Sequence, residues 1–130
     1  MSTTIPAMNT PYETAKLQDF TRLMGSSHPT ALKRATERHA AHRDRAADIT
    51  AGRGLVNGID TDPEAQADWH TTMATIWDQL RKGAATRVAI TTGVNATMPE
   101  PLDPNTITHL DEYDPTTGAA ARAALATITD

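Results

Sequence analysis

Residues 61–82, TDPEAQADWHTTMATIWDQLRK, decide the fold of this 130-residue chain. They hold both tryptophans of a sequence short of large apolar side chains. At about 100° per residue, Ala65, Met73, Ile76 and Leu80 fall within about 40° of Trp69, and Trp77 lies about 80° away. Glu64, Ala67, Thr71, Ala74 and Asp78 take the opposite side. A stripe that wide faces a core. The ends are marked too: Thr61 and Glu64 fit a capping box, Pro63 sits in the first turn, and Arg81 and Lys82 precede Gly83 at the expected exit.

Working outward, the chain repeats this start. Thr10, Pro11 and Glu13 give a hydroxyl cap, a proline and a glutamate three after the cap, which predicts a helix over 11–24 with Leu17, Phe20 and Met24 on one face and Gly25 closing it. Ser26, Ser27 and Pro29 restart the chain as a helix to about Ala51. Its stripe is Ala31, Leu32, Ala35, Ala46 and Ile49, with His39 and His42 in the same arc. Asp103-Pro104 and Asp114-Pro115 open two more helices, the first with Ile107, Leu110 and Tyr113 apolar, the second with Ala121, Ala124, Leu125 and Ile128. Residues 84–92 carry the β-branched content of a strand, yet Leu80, Ala84, Val88 and Thr91 continue a helical stripe. With no second strand to pair, helix or irregular structure is expected there. Gly93 to Asp103, with prolines at 99 and 101, is an extended connector. Asn57-Gly58 is a turn signal with flanks too short for a hairpin.

The fold class expected is therefore all-α: a small bundle of four to five helices, with an extended proline-containing connector (92–103) before the last two. Residues 1–9 are expected to be a flexible tail, and residues 10–130 one domain. The core is thin. Ala and Thr each occupy 22 positions, whereas Leu, Ile, Val and Phe together make 19, just under the level where disorder becomes a concern. A net charge of -4 lacks the other half of that signature. A domain with little to bury alone often completes its apolar surface in an oligomer or against a partner.

Composition removes several function classes. With no cysteine there is no disulfide framework, thiol nucleophile or thiolate-held metal. Residues 1–10 lack a signal peptide, and no apolar run approaches membrane-spanning length, so a soluble, cytoplasmic protein with no membrane partner is expected. Serine occurs only at 2, 26 and 27, in a tail or a cap, which leaves no nucleophile and base arrangement. Gly52, Gly54 and Gly58 follow a helix rather than a strand and fail the dinucleotide-loop spacing. The acids of HLDEYD (109–114) lack the alternating ligands of a calcium loop. His39 and His42, three apart on a helix, could approach one metal, with His70 or His109 completing it. A catalytic zinc needs three protein ligands and only two are spaced for it, so no metal and no cofactor is assigned.

Charge is segregated. Residues 29–53 carry six Lys/Arg against three acids, residues 54–80 five acids and no base, and residues 88–121 five acids and no Lys/Arg. The expected function is a small non-enzymatic interaction protein, in self-association or with a protein partner. Its composition, rich in Ala, Thr, Arg and Asp, suits an accessory or assembly component of the phage or plasmid type. The expected contact residues are Trp77 and His70 at the edge of the tryptophan stripe, with Glu100, Asp103, Asp111, Glu112 and Asp114. The alternative is a nucleic-acid-binding regulator, in which Arg34, Arg38 and Arg45, within about 40° of each other on the second helix, face phosphates.

Overall fold

The computed structural model describes residues 10–52 and 62–129, in which there are five helices and no strand. They are α1 (Thr10–Met24), α2 (His28–Thr50), α3 (Pro63–Thr91), α4 (Pro104–Asp111) and α5 (Pro115–Ala126). The expected tail at 1–9, the Asn57-Gly58 turn and the Thr61 cap lie outside the described residues. The cap of α3 is Asp62, whose carboxylate accepts from the Ala65 backbone N–H at 3.0 Å, with Pro63 as the first helical residue. Asp103, Asp114 and Ser27 cap α4, α5 and α2 in the same way, each with proline in the first turn. Proline loses nothing there, because the first-turn N–H groups have no partner inside the helix.

Gly83 does not end α3. The helix runs on for 29 residues, about 43 Å, and takes up the stretch whose β-branched content suggested a strand. Gly83 is instead a contact point: a Cβ there would lie 2.5 Å from Ile128 Cβ, so the missing side chain makes room for the chain's C-terminal isoleucine. The stop comes ten residues later. Gly93 adopts φ 90°, its N–H bonds to Ile90 O at 3.0 Å, and the Val94 N–H reaches Ala89 O at 2.9 Å. That pair of bonds is a left-handed glycine termination, which satisfies two orphan carbonyls. The extended connector to Asp103 follows, and its Met98 and Leu102 lie against the core.

Contacts set the directions. α2 runs antiparallel to α3, with His42 beside His70 at one end and His28 near Thr91 at the other. α1 lies along both: Glu13 meets Trp77 and Arg38, and Met24 and Val88 line one groove. α4 descends beside α3, where His109 and Tyr113 meet Asp68, and α5 returns along α1, where the Thr14 and Thr117 hydroxyls lie 2.9 Å apart. The core is the expected seam: Trp69, Met73, Ile76, Trp77 and Leu80 are buried against Leu17, Phe20, Ala31, Ala35, Leu110 and Ile128. Phe20 stands edge-on to Trp77 at 6.0 Å, a favoured aromatic geometry. Short side chains at Ala31 and Ala35 let α2 approach closely enough to cover these indoles. Each indole represents roughly 3–5 kcal/mol on truncation. Among the described residues no helix is long and apolar enough to cross a membrane.

Candidate functional site

Among the described residues, the densest chemistry lies where α1, α2 and α3 meet. Glu13 falls four residues before Leu17 on the inward face of α1, so the helix carries its carboxylate into the core, where it is 1% exposed. It does not fold back to close a capping box, as its spacing from Thr10 suggests. One oxygen accepts from Trp77 Nε1 at 2.7 Å; the other accepts from Arg38 and from His42 Nε2, the latter at 2.8 Å. With Nε2–H donating to the carboxylate, His42 Nδ1 is left to meet His70 Nδ1 at 2.8 Å. Trp69 stands edge-on to both imidazoles, with ring centroids at 5.4 and 4.9 Å. The result is a carboxylate–imidazole–imidazole chain flanked by a guanidinium and two indoles.

Burial pushes the Glu13 carboxyl up, as it disfavours the charged form. The hydrogen bond and charge of His42, the Arg38 charge and the Trp77 N–H together outweigh it, and the group sits below the ordinary carboxylate range. Glu13 is therefore held as a carboxylate, and it fixes the orientation of His42. The array is closed: His42 is 3% and His70 7% exposed.

A second cluster joins α3 to α4. Asp68 accepts from His109 Nε2 and from the Tyr113 hydroxyl at 2.5 Å, and His109 Nδ1 lies 3.5 Å from Glu112. The Asp68 hydrogen bond raises the His109 pKa; burial, followed by the same carboxylate, raises that of Tyr113. The two imidazole nitrogens face different acids, a strut rather than a chelate. Asp78, at 3.9 Å from His39, pairs with Arg81 at 2.6 Å and Lys82 at 3.0 Å on its own helix. Asp78 thus turns mainly to α3's own cations, because residues three and four apart on a helix are nearest neighbours.

The expected contact residues are redistributed. Trp77, at 0% exposed, lies inside rather than at a partner-facing edge, and His70 is inside with it; their shared stripe with Trp69 turns both toward α1 and α2. Asp103 and Asp114 spend their carboxylates as helix caps, and Asp111 pairs with Arg122 at 2.6 Å. Glu100 and Glu112 remain on the surface. Of the three arginines, Arg34 is exposed, Arg45 half-buried, and Arg38 committed to Glu13 with its guanidinium 5.2 Å from the Tyr12 ring centroid. His39 and His42 do not converge on one point, since one turns to Asp78 and the other to Glu13. No cluster of three or more metal-ligating side chains occurs among the described residues.

Outside the seams, a groove of about 500 Å³ separates the α1–α2 corner from the last turns of α3, lined by Met24, Pro29 and Val88 with Ser26, Ser27, Thr91 and Thr92. Ile90, at 42%, and Val94, at 56%, are exposed at the same end of α3. Compared with protein-family models, curated proteins and solved structures, the chain matches none.

Proposed function

We propose that this chain is a non-enzymatic interaction protein that works through protein–protein contacts, its first contact being a second copy of itself. The observation that carries the reading is the apolar end of α3. Ile90 and Val94 stand exposed there, at the end of α3 that also contributes Val88 to the groove, and exposed large apolar side chains on a chain this poor in them favour a contact surface. The internal use of Glu13, Arg38, His42, His70 and Trp77 as helix-to-helix ties agrees with a scaffold role. Surface charge gives the contact a polarity, with Lys33 and Arg34 exposed on α2 and Glu100 and Glu112 exposed on the connector and α4. A basic side of one copy can thus face an acidic side of another.

Light scattering over a concentration series tests this. The expected result is association that weakens when Ile90 and Val94 are both changed to Asp and as salt rises. A wild-type protein that stays monomeric at every concentration, with scattering indistinguishable from the double variant, overturns it. The nucleic-acid reading keeps Arg34, exposed on α2, and has lost Arg38 to Glu13; salt-sensitive binding to a duplex probe that Arg34→Ala weakens would restore it.

A further inference from the structure

Among the described residues, one end of the bundle carries no formal charge. Residues 23–32 turn from α1 into α2, and residues 88–99 lead from the last turn of α3 into the connector. Neither stretch holds an Asp, Glu, Lys or Arg, in a chain that is 22% charged. The fold brings the two together: Met24, Ser26 and Pro29 line the groove of about 500 Å³ with Val88, Thr91 and Thr92. His28 is the one imidazole in either stretch, and its Nε2 lies 3.1 Å from Met24 O. Much of the exposed surface is short, as at Gly25, Ser26, Pro29, Thr92 and Gly93, and short side chains lose little rotamer freedom when covered. Ile90 and Val94 add exposed aliphatic surface at the same end of α3. Charge resumes just outside, with Arg22, Lys33 and Arg34 exposed on the α1–α2 side and Glu100 on the connector. An uncharged centre within a charged rim is the anatomy of a protein–protein contact, whose core is depleted of Lys, Glu and Asp.

The missing charge also selects the partner. A two-fold axis sets a patch against its own image, so every charge near the axis meets its like. A patch without charge escapes that repulsion, whereas a partner chosen by charge finds nothing at the centre to pair with. We propose that this uncharged end is a two-fold interface between copies of the chain, so that association stops at a closed dimer. It rests on the self-association reading and adds to it a surface and a symmetry. Each copy offers the other a groove and two aliphatic side chains. At the rim, a two-fold turns one flank of a copy toward the opposite flank of its mate, which sets Lys33 and Arg34 toward the mate's Glu100.

The chain has no cysteine, so one introduced cysteine carries one nitroxide per copy of the full chain. Ser26→Cys labels the uncharged end. Asp44→Cys labels a second exposed position on α2, about 24 Å along the helix from His28 by its rise per residue. Pulsed dipolar spectroscopy reads the distance between copies, and light scattering over a concentration series reads their number. The expected result is a mass that levels off at two copies, with the Ser26 labels the closer pair and the Asp44 labels about 20 Å or more farther apart. Thr92→Cys takes the place of Ser26→Cys should that change disturb the start of α2. A mass that keeps growing past two copies overturns the closed interface and leaves self-association standing. So does any dimer in which the labels at the uncharged end are not the closer pair. A monomer at every concentration, with no dipolar signal from either label, overturns both.

Discussion

Replacing Glu13 with glutamine keeps the shape of the side chain and one acceptor oxygen and removes the charge that three donors address. Trp77 Nε1 and His42 Nε2 lie 2.7 and 2.8 Å from that carboxylate, with Arg38 beside it, all in a site 1% exposed. A hydrogen bond to a charged group is worth about 1.5–3 kcal/mol, but three around one carboxylate do not add, because they share it. Breaking a buried pair and leaving the guanidinium behind costs about 3–5 kcal/mol, a large part of the roughly 5–15 kcal/mol that holds a domain folded. With a urea slope of about 2 kcal/mol per molar, the unfolding midpoint of Glu13→Gln should fall by about 2 M. Indole fluorescence reads it directly, since Trp77 is one of the bonded groups. The pH dependence has a fixed sign. The Glu13 pKa is depressed below 4.5 in the folded chain, so its contribution is fully present above that value and is lost as pH falls through the depressed one. The gap between wild type and Glu13→Gln must therefore close toward acid. Pairing Glu13→Leu with Arg38→Met removes both charges and should recover much of the loss. A Glu13→Gln variant less than 1 kcal/mol down, with a gap that does not change from pH 7 to pH 3, would refute the role assigned to this carboxylate.

Three further substitutions probe the rest of the bundle. Gly83→Ala should destabilise despite the helix-propensity gain of about 1 kcal/mol, because the new methyl meets Ile128 Cβ at 2.5 Å and overpacking costs about 1–3 kcal/mol. In an Ile128→Gly background, which removes that Cβ, the same change should raise the melting temperature, and destabilisation in both backgrounds would rule out the contact as the cause. Gln66 is 0% exposed, and its amide has no hydrogen-bond partner among the described residues, so Gln66→Leu should stabilise by about 1–3 kcal/mol, whereas a clear loss in chemical denaturation would mean the amide is satisfied after all. His109→Gln tests the α3–α4 strut. The raised His109 pKa makes its contribution full below the ordinary imidazole value and lost as pH rises through the raised one. The side chain is 41% exposed, which holds the effect under about 1 kcal/mol. Amide protection factors in α4 should decline with pH in wild type and stay level in His109→Gln.

The helices were legible because their punctuation is local. Caps at Ser27, Asp103 and Asp114, each with a proline in the first turn, act within four residues of themselves, and that chemistry holds whatever packs nearby. The stripe of Trp69, Met73, Ile76 and Leu80 was legible for a related reason, since a 3.6-residue period needs only one helix to express itself. Gly83 misled because its meaning is not local. The residue that needs its missing side chain is Ile128, 45 positions on, and nothing near residue 83 distinguishes a glycine that stops a helix from one that admits a neighbour.

Glu13 shows why the polar seam was harder to see than the core around it. Its spacing from Thr10 satisfied a local rule, and that rule concealed a second pattern in the same residues: Glu13, Leu17, Phe20 and Met24 step along one face by four, three and four. A charged residue in register with an apolar stripe is either a break in the stripe or a group with a buried partner. His42 among the alanines of α2, and Gln66 and His70 beside Trp69 on α3, pose the same choice. Three helices each carrying an unexplained polar residue on the inward face explain one another once they are packed together: the acid of α1, the base and guanidinium of α2 and the imidazole of α3 meet at a single level of the bundle. An apolar seam of alanines tolerates sliding by a turn at little cost, whereas Glu13 cannot be moved one turn along α3 without stranding its charge away from Trp77 and Arg38. On that argument the polar level sets the register of α1 against the α2–α3 pair, and the aliphatic levels on either side supply most of the stability.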